Sequence, residues 1–261
     1  FDEYFFLQLS LAINKSKIEN FNGKTITELG PYVKKMYNNL GFELTNAQIN
    51  VLKDIRKDLA LKKPMNRLIQ GDVGCGKTVV AMLTSAIVVA SGAQVAIMAP
   101  TEILAEQHFD SFKEYCKVLN IECDLLISNL DSKKKESIYK ELKSNKIKII
   151  VGTHALFQKK VVFKNLGLVI VDEQHRFGVE QRKNLIIKGE HVNILAMTAT
   201  PIPRTLTFAL HGDMDLSWID EQPKNRIPIK TKIINKKNIN DVYSIMKNEM
   251  DKGRFCFIVF P

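Results

Sequence analysis

The stretch Arg67-Leu68-Ile69-Gln70-Gly71-Asp72-Val73-Gly74-Cys75-Gly76-Lys77-Thr78-Val79-Val80-Ala81-Met82-Leu83 reads as a strand, a glycine-rich loop and a helix in succession. Its centre, Gly71 to Thr78, has the G-x-x-x-x-G-K-T spacing with which a chain wraps a triphosphate in backbone N–H groups. Side chains would obstruct such a wrap. Gly71, Gly74 and Gly76 supply the positive-φ or crowded conformations it needs, and Asp72, Val73 and Cys75 contribute main chain between them. The helix opening at Thr78 and running towards Gly92 aims its N-terminal N–H groups and dipole at the phosphates. Lys77 then reaches the β and γ oxygens, and the Thr78 hydroxyl ligates Mg²⁺. A glycine-rich surface turn has the same composition, but the flanking strand and helix favour the nucleotide reading.

About a hundred positions later comes the continuous apolar run Leu168-Val169-Ile170-Val171, followed by Asp172-Glu173-Gln174-His175. Such a run marks a parallel strand buried on both faces. Asp172 and Glu173 therefore stand at its carboxyl end, where open α/β sheets form their ligand crevice. Asp172 is suited to hold Mg²⁺ through its water shell, and Glu173 to polarise the water that attacks the γ-phosphate. Two acids after a strand also suit a plain helix start. The phosphate loop upstream tips the reading towards hydrolysis.

Working outward, strands and helices alternate. Strands are expected at 94–99, 122–127, 147–151, 168–171 and 192–197, with helices at 102–119 and 132–144. Ahead of the loop, residues 1–15 and 26–40 read as amphipathic helices. Thr45 can cap a further helix in which Ala47, Val51, Ile55 and Leu59 form one stripe. The fold class is α/β, a parallel sheet with helices on both faces. Pro223, Asn225 and Pro228 mark a linker, after which a strand at 229–234, a helix at 238–252 and a strand at 255–260 read as the start of a second such lobe. The domains are thus a helical lead-in at 1–43, an ATP-binding lobe at 44–222, and a linker with the opening of lobe two at 223–261.

A formal charge of +10, from 38 Lys and Arg against 28 Asp and Glu, points to a polyanionic partner. A general lysine bias on solvated faces would raise the charge in the same way. Cys75, Cys116, Cys123 and Cys256 have no zinc-site spacing and read as reduced. This stretch shows neither a signal-peptide pattern nor an apolar run of the ~18 residues a membrane helix needs, so a cytoplasmic setting without membrane is expected. The chain begins at Phe1 and stops just after an apolar run, which reads as a segment of a longer protein.

Three further turns leave predicted strands. They are Ala99-Pro100-Thr101-Glu102, Gly152-Thr153-His154 and Met197-Thr198-Ala199-Thr200-Pro201. Helix starts that expose N–H groups and hydroxyls at one edge can grip a phosphate backbone without reading bases. Each alone is equally well a helix cap or a turn. In order, however, GDVGCGKT, APTEILAEQH, VGTH, DEQH and TATP resemble a superfamily 2 helicase motor. The phrases Pro64-Met65-Asn66-Arg67-Leu68, Asp172 through Arg182, and Thr198-Ala199-Thr200-Pro201-Ile202-Pro203-Arg204-Thr205-Leu206 are similar to the bacterial RecG family of ATP-dependent DNA helicases, along essentially all 261 residues. One departure is Cys75, where that family usually has Ser; because the thiol is nearly isosteric and the loop binds through its backbone, little effect is expected beyond sensitivity to oxidation.

The resemblance implies ATP with Mg²⁺ as ligands, and forked or junction DNA as partner, held through phosphates. It implies that Gln48 recognises adenine with Phe42 near the base, that His175 couples the nucleotide site to movement, and that Arg204 transmits it. Pro100, Thr101, Gly152, Thr153, Thr198 and Thr200 would contact DNA or link it to the nucleotide. It also implies a wedge domain before Phe1, and after Pro261 the rest of lobe two with its arginine fingers. A monomer is favoured. Two other readings are a small-molecule phosphate-loop kinase and a nucleic-acid binding module with a vestigial site. The first lacks a use for DEQH and TATP, and the second should have lost Lys77, Thr78 or Glu173.

Overall fold

The computed structural model describes residues 5, 6, 9, 12, 13, 23, 25–173, 192–200, 214–223, 231, 233–235 and 239–259. Two compact units emerge, residues 1–224 and 225–261.

The first unit is built on a seven-stranded, all-parallel sheet. The strands are β1 (Asn66–Gly71), β2 (Gln94–Met98), β3 (Glu122–Leu126), β4 (Ile147–Gly152), β5 (Leu166–Asp172), β6 (Asn193–Thr198) and β7 (Asp215–Ile219). Their spatial order is β3-β4-β2-β5-β6-β1-β7. Around them lie α1 (Gly30–Asn38), α2 (Asn46–Leu59), α3 (Lys77–Ala90), α4 (Glu102–Leu119) and α5 (Ser132–Lys143), with a short 3₁₀ turn at His154–Phe157.

Strand periodicity divides the core in two. Ile69, Val95, Ile97, Ile149, Val151, Leu168, Ile170, Leu195 and Met197 point to one face and pack with apolar residues of α1 to α4. Their neighbours Ala96, Met98, Ile150, Val169 and Val171 point to the other and meet Ile138 and Leu142 of α5 and the 3₁₀ turn. α3 is apolar nearly all round, with every residue from Val80 to Val89 buried, because it crosses behind the middle of the sheet. α5, by contrast, buries only Ile138 and Leu142, so its lysines stay in solvent.

At the amino ends of the strands, buried polar groups set the spacing. Asn193 accepts from the Met65 amide at 2.8 Å and donates to Gly167 O at 2.9 Å. Gln94 donates to Leu142 O and Ile147 O and accepts from the Asn165 amide. On β1, Arg67 binds Asp58 of α2 at 2.6 Å and Ser217 of β7 at 2.7 Å. Burial opposes its charge, but the hydrogen bond and charge of Asp58 outweigh that and raise its pKa further.

Three expectations need correction. The helix expected from Ile26 starts at Gly30, because Pro31 fits a first helical turn but has no amide to donate to a helix begun upstream, and Gly30 takes φ 65°. β7 was not foreseen; its polar and apolar residues alternate too weakly to stand out beside the continuous apolar runs. In the second unit a helix, α6 (Ile239–Asp251), forms as expected, but the described residues 231, 233–235 and 254–259 lie in no strand. Phe255, Phe257 and Val259 are about nine-tenths exposed, and an apolar run without a paired neighbour cannot satisfy its backbone as sheet. Among the described residues no helix is long and apolar enough to cross a membrane.

Candidate nucleotide site at the carboxyl edge of the sheet

Parallel register delivers the motifs to one edge. Gln70, the residue before the loop, pairs with Thr198 of β6, and Met197 of β6 pairs with Asp172 of β5. Met98, just before Ala99-Pro100-Thr101, pairs with both Val171 and Gly152. Every turn singled out in the sequence therefore opens on the same side of the sheet, where α/β proteins place ligands.

The loop between β1 and α3 has the strained geometry its glycines permit. Gly74 and Gly76 sit at φ 79° and 90°, and Gly76 is the amino cap of α3. A Cβ on Gly76 would run into Gln48 Nε2, and one on Gly71 would meet Cys75 Sγ at 2.5 Å. Lys77 Nζ reaches back to Gly71 O at 2.7 Å and Asp72 O at 3.0 Å, so its charge lies across the loop that it would share with phosphate. Thr78 follows in the first turn of α3, where amides lack intrahelical partners. Val73 is two-thirds exposed, and Asp72 caps the Val73 amide at 2.7 Å and accepts from Gln222 at 3.0 Å. Cys75 is buried. That burial pushes its thiol pKa up against the lowering effect of nearby Lys77, which corrects the expected oxidation sensitivity: a buried neutral thiol reacts slowly.

Gln48 is placed differently from expectation. It is 2% exposed and completes a capping box with Thr45, its Oε1 accepting from the Thr45 amide at 2.9 Å. Its Nε2 donates to Cys75 O at 2.8 Å. The side chain thus holds the phosphate loop from behind, and adenine recognition would need it to turn outward. Phe42 is 45% exposed.

Just past the end of β5, Glu173 adopts φ 52°, a left-handed conformation uncommon for a non-glycine residue. Its Oε1 accepts from the Ala199 amide at 3.4 Å, while the Thr200 carbonyl accepts from Gln70 at 3.3 Å. The loop after β6 is thereby tied both to the acid and to the residue that leads into the phosphate loop. Asp172 Oδ1 accepts from the Glu173 amide at 3.0 Å, and its Oδ2 lies 2.7 Å from His108 Nε2. His108, Gln70 and Gln222 are the site residues that sequence reasoning missed. Only His108 had a signal, its place in the APTEILAEQH phrase.

Of the edge residues proposed to meet DNA, Thr101 is exposed and Pro100 half-buried, with the Thr101 hydroxyl capping α4 at Leu104. Thr200 is exposed, its amide donating to Thr198 Oγ1. Gly152, Thr153 and Thr198 are buried, so they shape this edge without presenting a surface to a partner. His175 and Arg204 lie outside the described residues. Among the described residues no group of three or more His, Cys, Asp or Glu could hold a metal unaided. Thr78 and Asp172 instead fit Mg²⁺, which is commonly held by one or two protein oxygens together with substrate phosphates.

Comparison with known proteins agrees with this geometry. A family model described as DEAD/DEAH box helicase matches residues 45–208. The ATP-dependent DNA helicase RecG of Aquifex aeolicus is 46% identical over the whole chain, which covers 33% of that relative, and RecG of Bacillus subtilis is 42% identical over the whole chain, covering 38%. The chain thus spans about a third of the length of the curated relatives it matches. A solved structure of RecG bound to a three-way DNA junction superimposes with a TM-score of 0.88 at 41% identity, covering all of this chain and 35% of that one. The DEAD-box helicase Mss116 bound to single-stranded RNA shares the fold at a TM-score of 0.61 and 16% identity, over 87% of this chain and 52% of its own.

Proposed function

Because the chain belongs to the DEAD/DEAH box helicases, and is similar to RecG along its whole length, we propose that it is the ATP-binding lobe of a motor that remodels forked or junction DNA. The observation carrying this reading is the parallel register that sets the phosphate loop, Asp172-Glu173 and Thr198-Ala199-Thr200 side by side. Residues 1–43 lead in from a wedge domain, and residues 223–261 open a second RecA-like lobe. The oligomeric state that suits this arrangement is a monomer, working in the cytoplasm.

In this reading the amides from Gly71 to Thr78 and the Lys77 ammonium bind the β and γ phosphates. Thr78 and Asp172 would hold Mg²⁺, which would supply neutralisation of charge at those phosphates. Glu173 polarises the attacking water, and its left-handed backbone aims the carboxylate off the strand end. The Glu173–Ala199 and Gln70–Thr200 contacts relay occupancy of the site to the loop after β6. His175 and Arg204 continue that relay, and Pro100, Thr101 and Thr200 grip the DNA backbone. A small-molecule kinase would have no use for such a relay.

Lys77→Ala removes the ammonium that lies across the loop. In the intact protein it should weaken ATP binding and abolish hydrolysis, measured by equilibrium titration and phosphate release. Turnover equal to wild type would overturn the assignment of this loop.

A further inference from the structure

Asp172 is held from two directions, and only one belongs to its own strand. The Glu173 amide occupies Oδ1. Oδ2 is met at 2.7 Å by Nε2 of His108, which projects from α4, two turns beyond the Thr101 cap. Both side chains are largely withdrawn from solvent, at 12% and 14% exposed. A carboxylate serving a metal is ionised and only accepts hydrogen bonds, so His108 must donate through Nε2.

We propose that His108 is a positioning residue for nucleotide hydrolysis: it fixes the rotamer of Asp172 from α4 and so presents the carboxylate to Mg·ATP. The inference rests on the reading of Asp172 as the magnesium carboxylate. Without His108, one anchored oxygen remains, and the carboxylate can rotate about its χ angles away from the phosphate loop. Partners of this kind behind a metal ligand set its orientation and, when removed, weaken metal binding or activity by about tenfold or more. α4 is a stable base for the task, because Ala105, Phe112 and Cys116 bury one side of it against the sheet and Glu102 fastens its start to the Ser128 amide and Asn129.

The test compares His108→Ala, His108→Gln and Asp172→Asn in the intact protein. Binding of a fluorescent ADP analogue is titrated against Mg²⁺ at equilibrium, and kcat and KM for ATP are measured separately. His108→Ala should need about tenfold more Mg²⁺ for half-maximal binding and lose about tenfold in kcat, with the metal-free affinity for the analogue unchanged. His108→Gln should recover most of both, because its Nε2 donates from nearly the same place. Wild-type Mg²⁺ dependence in His108→Ala, beside an impaired Asp172→Asn, would overturn the inference alone. Equal failure of Ala and Gln would also overturn it, since packing and not donation would then be the role. Wild-type behaviour in Asp172→Asn would instead overturn the reading of the site itself.

Discussion

At the scale of single residues, the left-handed turn at Glu173 is the most specific feature of the site. A carboxylate held off a strand end by an amide of the neighbouring loop can polarise water, whereas an amide of the same shape polarises it poorly. Glu173→Gln should therefore bind Mg·ATP as wild type and hydrolyse it at least a hundredfold more slowly, within the ~10² to 10⁴ that general bases contribute. Comparing nucleotide affinity with single-turnover hydrolysis checks this; lost binding with normal hydrolysis per bound ATP would contradict it. Cysteine chemistry gives a pH prediction. Burial raises the Cys75 pKa, and a hydrogen bond to Cys116, then burial, raise that of Cys123. The folded state keeps these protons above the pH at which unfolded thiols, with pKa near ~8.5, release them. Their contribution to stability is full below that pH and is lost as pH rises through the folded values. Denaturant midpoints should fall between pH 8 and pH 10, by less in a Cys75→Ala, Cys123→Ala double variant.

At the scale of elements, much was legible because the chemistry is local. Continuous apolar runs gave β2, β4, β5 and β6 to within a few residues, and the G-x-x-x-x-G-K-T spacing placed the turn between β1 and α3. What sequence could not provide depends on partners far along the chain. Nothing in the sequence ties Gln48 to the phosphate loop until the fold brings Cys75 O to it, or gives His108 a partner until α4 brings it to Asp172 at the end of β5. The run at 255–260 misled for the same reason, since a strand exists only beside another. The β1–α2–β7 corner provides a measurable case. Arg67→Leu leaves Asp58, 13% exposed, without its cation, and should destabilise the first unit by about 3 kcal/mol in equilibrium denaturation. Ser217→Ala removes only the neutral hydroxyl between Arg67 and Asp54 and should lose less, about 1.5 kcal/mol. Equal losses would mean that the corner is held by packing and not by charge.

Across the whole molecule, the parallel register of the first unit brings the elements proposed to bind nucleotide and to grip DNA to one edge of one sheet. A motor needs a second lobe that closes and opens against this one, so residues 1–261 alone should bind DNA weakly and unwind nothing. That binding should ignore sequence and weaken steeply with salt, each neutralised phosphate adding about 0.9 to the slope of log affinity against log salt. If ATP hydrolysis at this edge is stimulated by DNA, ATP turnover by the intact protein must differ with and without a three-way DNA junction. A many-fold rise with the junction, absent in Lys77→Ala, is the expected result; turnover indifferent to DNA would contradict the motor reading.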